Sequence, residues 1–210
     1  MPKSAETWYI GSVRGFQAPI VKRLMAEPRT PVPALLVVAV FSRHEDAFVW
    51  SQTRLERLLG PVGLASDPFV FNQTTYYEAS MGRDLRKRFL AFERLVPLDR
   101  LAEIKLQTNV LERELASAQT YAEARPLNLD PGLLVLGKFM LATTKDQAHR
   151  IYLRDGIFAE VTLRYHAGAF EPWPWTYADY RLPFVHAFLH QARDYYRRRL
   201  HEPRGANEHS

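Results

Sequence analysis

The sequence predicts an α+β fold: a ferredoxin-like (split βαβ) antiparallel sheet, extended by a β-hairpin and followed by a C-terminal helix. Three observations carry that expectation. LLVVAVF, after Ala34, is a continuous apolar run rich in β-branched residues, the kind that occupies a sheet interior, and a helical pattern follows it directly. The order of signals then reads β-α-β-β-α, and one further strand completes the split βαβ arrangement. Nearer the C-terminus, Asp155-Gly156 stands between two β-type runs, a strong hairpin signal because both residues tolerate positive φ.

Residues 1–33 read as an N-terminal extension and linker, ending in the proline-spaced AEPRTPVPA. Tyr9, Val13, Phe16, Ile20 and Leu24 recur there at helical spacing beside Arg14, Lys22 and Arg23, which suits either a basic amphipathic arm or a frayed extension. A single α+β domain is expected over residues 34–201, and a disordered tail over 202–210. Ser42-Arg-His-Glu45 has the capping-box pattern and opens a helix to about Leu59. Short strands are expected near Pro68 to Phe71 and Arg88 to Arg94. A helix follows from about Leu98 to Ala116, with Leu101, Ile104, Leu111 and Leu115 on one face. LLVLGKFML after Asp130 is taken as a strand, although Asp-Pro-Gly also suits a helix start. HRIYL and IFAEVTLRY make the hairpin, and His166-Ala-Gly-Ala makes a second turn. EPWPWTYADYRLP is too rich in proline and aromatics for regular structure. Pro183 then opens a last helix that buries Val185, Leu189, Ala192 and Tyr196 and ends in Arg197, Arg198 and Arg199, cations that complement the helix dipole.

The chain has 210 residues, 47% of them hydrophobic, enough for one buried core. No apolar run approaches the ~20 residues a membrane helix requires. The absence of cysteine excludes disulfide scaffolds, thiolate nucleophiles and cysteine-ligated metal sites, and with no signal-peptide core in the sequence the expected location is cytoplasmic. A net charge of +5 favours anionic partners, yet it is modest for a dedicated nucleic-acid binder.

Residues 128–165 concentrate ionisable groups within apolar sequence, and such groups are paired, at an element's edge, or held for a ligand. His149, Asp130 and Glu160 are the candidate catalytic residues, with His149 as general acid or base. Lys138, Lys145, Arg150 and Asn128 are candidate ligand-binding residues, joined by Tyr76 and Tyr77 from a polar aromatic loop suited to a base or a sugar. The plain structural alternatives are an Asp146–Arg150 ion pair, packed tyrosines anchoring a long connection, and an outward Glu160.

Several motifs fall short of a signature. Gly132 to Lys138 satisfies G-x4-G-K, but Phe139 replaces the magnesium-binding hydroxyl and Leu133 to Leu136 are too bulky to cradle phosphates, so a true P-loop is not expected. Thr144-Lys145-Asp146 departs from the guanine-reading Asn-Lys-x-Asp by one residue. His186, His190 and Asp194 have metal-capable spacing without a zincin glutamate, and no metal is assigned. Neither His-x-Thr/Ser pairs nor Gly-x-Ser-x-Gly occurs, which argues against two-histidine phosphoesterases and serine hydrolases. Trp173, Trp175, Tyr177 and Tyr180 suit base stacking or a packed lid.

The blocks PALLVVAVFS, FNQTTYYEASMG, RFLAFERL, LAEIKLQTNVLE, NLDPG, TTKDQAHRIYL, DGIFAEVTLRY and PWTYADYR together resemble an uncharacterised bacterial domain-of-unknown-function family whose members are sometimes labelled GTP-binding proteins. The resemblance runs from about Leu35 to Arg198 and supplies no catalytic residue, cofactor or activity. The residues themselves point to a Lys/His/Arg/Asp pocket that binds, with or without transforming, a small anionic or nucleotide-like ligand. The alternative is an RNA- or protein-binding module that uses the basic, aromatic C-terminal helix.

Overall fold

The computed structural model describes residues 27–201. Most of the extension expected over residues 1–33, its amphipathic pattern included, and the tail 202–210 lie outside them. The elements described below all fall in the unit that begins at Pro31.

β1 (Ala34–Ser42) is buried along all nine residues, because strands flank it on both sides and helices cover both faces. α1 (Glu45–Leu59) follows, with Glu45 and Asp46 placed favourably at the positive end of its dipole. The expected capping box does not form. The helix cap is His44, and the Ser42 hydroxyl accepts from the His44 amide at 3.0 Å while donating to the Pro126 carbonyl at 2.8 Å, tying β1 to a distant loop instead.

The next strand is split in two. β2 (Val62–Ala65), which the sequence pattern did not reveal, pairs with the middle of β4 (Arg86–Val96), whereas β3 (Phe69–Val70), the expected short strand, pairs with its start. A single turn, α2 (Glu78–Met81), sits between them and β4. α3 (Leu101–Ser117) buries Leu101, Ile104 and Leu115 as its spacing predicts. The run after Asp130 is not one strand. It turns at Leu136-Gly137 into a hairpin of β5 (Asn128–Val135) and β6 (Lys138–Thr143). Periodicity hid the turn because both arms are apolar. The Asp155-Gly156 hairpin joins β7 (Ile151–Arg154) to β8 (Ile157–His166), both turn residues having positive φ, and Ala167-Gly168 makes the same kind of turn into β9 (Ala169–Pro172). β9 therefore carries regular pairing into the start of the proline-rich stretch. α4 (Pro183–His201) buries Val185, Leu189, Ala192 and Tyr196 as expected.

Among the described residues the strands form one nine-stranded antiparallel sheet, ordered β2-β4-β1-β5-β6-β8-β7, with β3 on β4 and β9 on β8. The first four strands in that order, joined through α1 and α3, are the ferredoxin-like core; the rest extend it. Alternate β1 residues face opposite layers. Leu36, Val38 and Val40 pack with Phe48, Leu55 and Ile104 of α1 and α3, and Leu35, Val37 and Ala39 pack with Leu189 and Tyr196 of α4. Each fully buried Leu or Phe of these layers contributes ~1.5–3 kcal/mol from burial.

Candidate functional site

α4 covers only half of its face of the sheet. Under the helix, neighbouring strands present Leu35, Phe89, Leu134, Phe139 and Leu163. Towards the end of the sheet where β1 and β6 finish and β4 and β5 begin, the same face becomes polar. Lys87 pairs across from Phe41, Phe41 from Asn128, and Ala39 from Asp130, while Glu160 stands opposite Leu141. These side chains line a cavity of about 630 Å³, roofed by the segment around Tyr76 and Tyr77, by residues 144–147 and by residues 177–180 just before α4. That volume lies within the range of small-molecule sites.

Its charged floor is closely paired. β5 and β6 begin to pair only at Gly132 and Leu141, and beyond that point Lys105 reaches from α3 on the opposite face to donate to the Leu129 carbonyl at 2.7 Å and to Asp130 at 3.0 Å. Asn128 donates to the other Asp130 oxygen at 2.8 Å. Burial alone would raise Asp130, but the charge and hydrogen bond of Lys105, with the Asn128 bond, hold its carboxyl below the usual aspartate range. Arg125 donates to Glu112 at 2.8 Å and also to Asn128. Lys87 is buried and bound to the buried Asp179.

Glu160 is buried and inward-facing, not a solvent residue of an alternating strand. It accepts from Arg150 Nε at 2.9 Å and lies 3.2 Å from His149 Nε2. Arg150 also donates to the Lys145 carbonyl and to the Tyr177 hydroxyl at 2.9 and 2.7 Å, so Glu160, and not Asp146, is its ion-pair partner. His149 stacks on Trp175 behind Glu160 and is not itself a wall of the cavity. Burial pushes the hydroxyls of Tyr77, Tyr177 and Tyr180 up, leaving them neutral donors at neutral pH.

The mouth is different. Lys145 and Tyr76 are exposed and meet each other: the ammonium donates to the phenol oxygen at 2.7 Å and lies over the ring, which lowers the phenol's pKa. Arg113 of α3 stands on the same rim. Among the described residues, neither Lys145 nor Arg113 meets a carboxylate.

Of the residues expected from sequence, Asn128, Asp130, Lys145, Glu160, Tyr76 and Tyr77 line the cavity, while Arg150 and His149 support it from behind. Lys138 does not belong with them. It begins β6, five residues or about 16 Å along the strand from Thr143 at the cavity. The G-x4-G-K segment is a strand–turn–strand, with no helix after the lysine and with Gly132 pressed against Phe139, so the P-loop geometry is absent. His186 faces the Tyr180 carbonyl and His190 the rings of Tyr165 and Phe170, and no group of metal-capable side chains converges among the described residues. Trp173 and Trp175 stack on each other, and Trp175 covers His149, as a packed lid would.

Lys87, Lys105, Glu112, Arg125 and Asp179 escaped sequence reasoning. A signal existed for two of them: Lys105 and Glu112 fall on the apolar face of α3, where an unpartnered charge is costly. Asp179 lies in a short 3₁₀ turn within the proline-rich stretch, which carries no periodicity.

No described helix is long and apolar enough to cross a membrane. Comparison with curated proteins and with solved structures gives no match. One family does match, over residues 32–196, which takes in every element from β1 through nearly all of α4 and so the whole cavity. The chain belongs to that family, described as "Domain of unknown function (DUF4416)".

Proposed function

We propose that the cavity binds a small anionic ligand carrying a planar ring, a nucleotide-like molecule being the best fit. The observation that supports this is the contrast between floor and rim. The cations of the floor are matched by Asp130, Glu112 and Asp179, whereas Arg113 and Lys145 at the mouth have no carboxylate partner among the described residues. An arriving anion meets those two first, and Lys145 exchanges the Tyr76 hydroxyl for it. Phe41, Phe71 and Tyr77 supply apolar and ring contacts inside, and Asn128, Asp130 and Glu160 supply polar ones. In any transformation of the ligand, Asp130 acts as an ionised acceptor and Glu160 as a carboxylate positioned by Arg150 and His149.

Mass spectrometry of small molecules released from the purified chain, followed by calorimetry with nucleoside mono-, di- and triphosphates, tests this. Arg113→Ala and Lys145→Ala are each expected to weaken binding by roughly tenfold or more, the worth of one charge-assisted hydrogen bond. Lys138→Ala is expected to change nothing, and no magnesium dependence of the P-loop kind is expected. A panel without heat, or binding indifferent to both rim variants, would overturn the proposal. The basic face of α4 has less to offer RNA, since Tyr196 is buried, Arg193 is spent on Leu136 and Tyr165, and Arg198 lies over Tyr195.

A further inference from the structure

Two lysines are buried in the wall of the cavity, and their surroundings differ. Lys105 is satisfied by oxygen: the Leu129 carbonyl at 2.7 Å, Asp130 at 3.0 Å and Glu112 at 3.9 Å. Lys87, only 1% exposed, has one oxygen partner among the described residues, Asp179. Its nitrogen lies over ring faces, with centroids of Tyr180 at 4.1 Å, Phe41 at 4.3 Å and Phe89 at 4.9 Å. An ammonium carries three N–H donors, and among the described residues Lys87 satisfies one of them with an oxygen. A desolvated primary amine held by one carboxylate and otherwise packed against aromatic rings has the features of a carbonyl-condensing lysine.

We infer that Lys87 is a covalent attachment site for an anionic aldehyde or ketone, with Asp179 as its proton relay. This rests on the small-anion cavity proposed above and adds the functional group of the ligand. Asp179 takes a proton from the Lys87 ammonium, and the freed nitrogen pair attacks the carbonyl carbon. The C–N bond forms as the carbonyl π pair moves to oxygen, and the nitrogen's proton passes to that oxygen, giving a carbinolamine. The nitrogen pair then expels the hydroxyl, which leaves as water with the proton held by Asp179. The sum is ammonium plus carbonyl giving iminium plus water, with the Asp179 carboxylate restored. The product keeps the positive charge where the ammonium had it, between the same carboxylate and the same rings. Burial holds the Lys87 pKa below the ordinary lysine value against the opposing pull of Asp179, which raises the share of free amine.

Borohydride trapping of the native full-length chain tests this, with glyoxylate and pyridoxal 5′-phosphate as probes of different size and peptide mapping as the readout. The expected adduct is at Lys87, ahead of the chain's other lysines, Lys3, Lys22, Lys105, Lys138 and Lys145. Lys105, buried in the same wall, serves as the internal control and stays unlabelled. Asp179→Asn should slow trapping at Lys87 by at least ~100-fold, the lower range for a lost general acid–base. Lys87→Arg should abolish the adduct; if that variant unfolds, mapping on the native chain decides alone. Labelling that follows exposure, on Lys138 and Lys145 with Lys87 untouched by both probes, overturns the inference. Calorimetry with unreactive nucleotides on the same preparation separates the two proposals: intact binding without a Lys87 adduct sinks only the covalent site, and lost binding sinks the reading beneath it.

Discussion

The face of the sheet that carries α4 has two halves built on the same strands. Under α4, β5 contributes Gly132 and Leu134, β6 Phe139 and β8 Leu163; a few residues along, the same strands contribute Asp130, Thr143 and Glu160. One half is held by volume and the other by charge matching. Close-packed side chains tolerate a change of chemistry if shape is kept, whereas buried ion pairs tolerate neither the loss of a partner nor its neutralisation. If that distinction is right, isosteric substitutions should separate the halves more clearly than truncations do.

Truncation gives the largest effects in both halves. Phe139→Ala should destabilise by ~3–5 kcal/mol, as removal of a buried aromatic ring does, and Glu160→Ala by a similar ~3–5 kcal/mol because it strands the buried Arg150. The isosteric pair then discriminates. Leu134→Met should cost less than ~1.5 kcal/mol, while Glu160→Gln should cost nearly as much as Glu160→Ala. Urea midpoints at neutral pH measure all four, and a mild Glu160→Gln would erase the contrast between the halves.

Gly132 sits where one half meets the other. A Cβ there would lie 2.5 Å from the Met140 carbonyl oxygen and 2.7 Å from the Phe139 ring, and the first of these is backbone that cannot swing aside. Gly132→Ala should therefore cost ~1–3 kcal/mol, the range for overpacking, and shift Phe139. Thermal melting compared with Gly137→Ala, where a Cβ meets nothing, checks it; equal shifts would mean that the β5–β6 approach is looser than its geometry.

The apolar half was the legible one. LLVVAVF, the α3 stripe and the α4 stripe announce themselves by periodicity, because an element that buries one face must repeat its apolar residues at the element's own period. The polar half has no period to read. Asn128, Asp130 and Glu160 were visible as polar groups set in strands, yet their partners Lys105, Arg125 and Arg150 come from a helix and two loops, and which loop reaches which strand is fixed only by the fold. Lys138 misled for the opposite reason: the turn at Leu136-Gly137 carries it to the far end of β6. His149 lies beside Glu160 but on its outer side, a distinction of a few ångströms that no spacing encodes.

Acid should expose the charge-matched half selectively. The Asp130 pKa is depressed in the fold, so its contribution to stability is complete above the unfolded aspartate value of about 3.9 and is lost as pH falls through the lower folded value. Asp130→Asn should therefore lie well below wild type in urea midpoint at pH 7 and approach it at pH 3. A gap that stays constant would mean that Asp130 is held by shape, as its neighbours under α4 are.

The smallest expected effect lies outside both halves, at the C-terminal end of α4. Arg197 pairs with Asp194 at 3.5 Å with both side chains more than half exposed, so solvent screens that pair and little stability follows from it. Arg198 and Arg199 lie in the last turn, where positive charge complements the helix dipole. Replacing Arg197, Arg198 and Arg199 together by alanine should cost on the order of 1 kcal/mol and leave small-anion binding unchanged. If the helix instead grips RNA, the same triple variant would abolish a salt-sensitive complex in filter binding, each lost phosphate contact removing ~0.7 from the slope of log affinity against log salt. Such a loss, with Lys145→Ala without effect, would move the site of recognition from the cavity to the helix; an unchanged slope leaves it in the cavity.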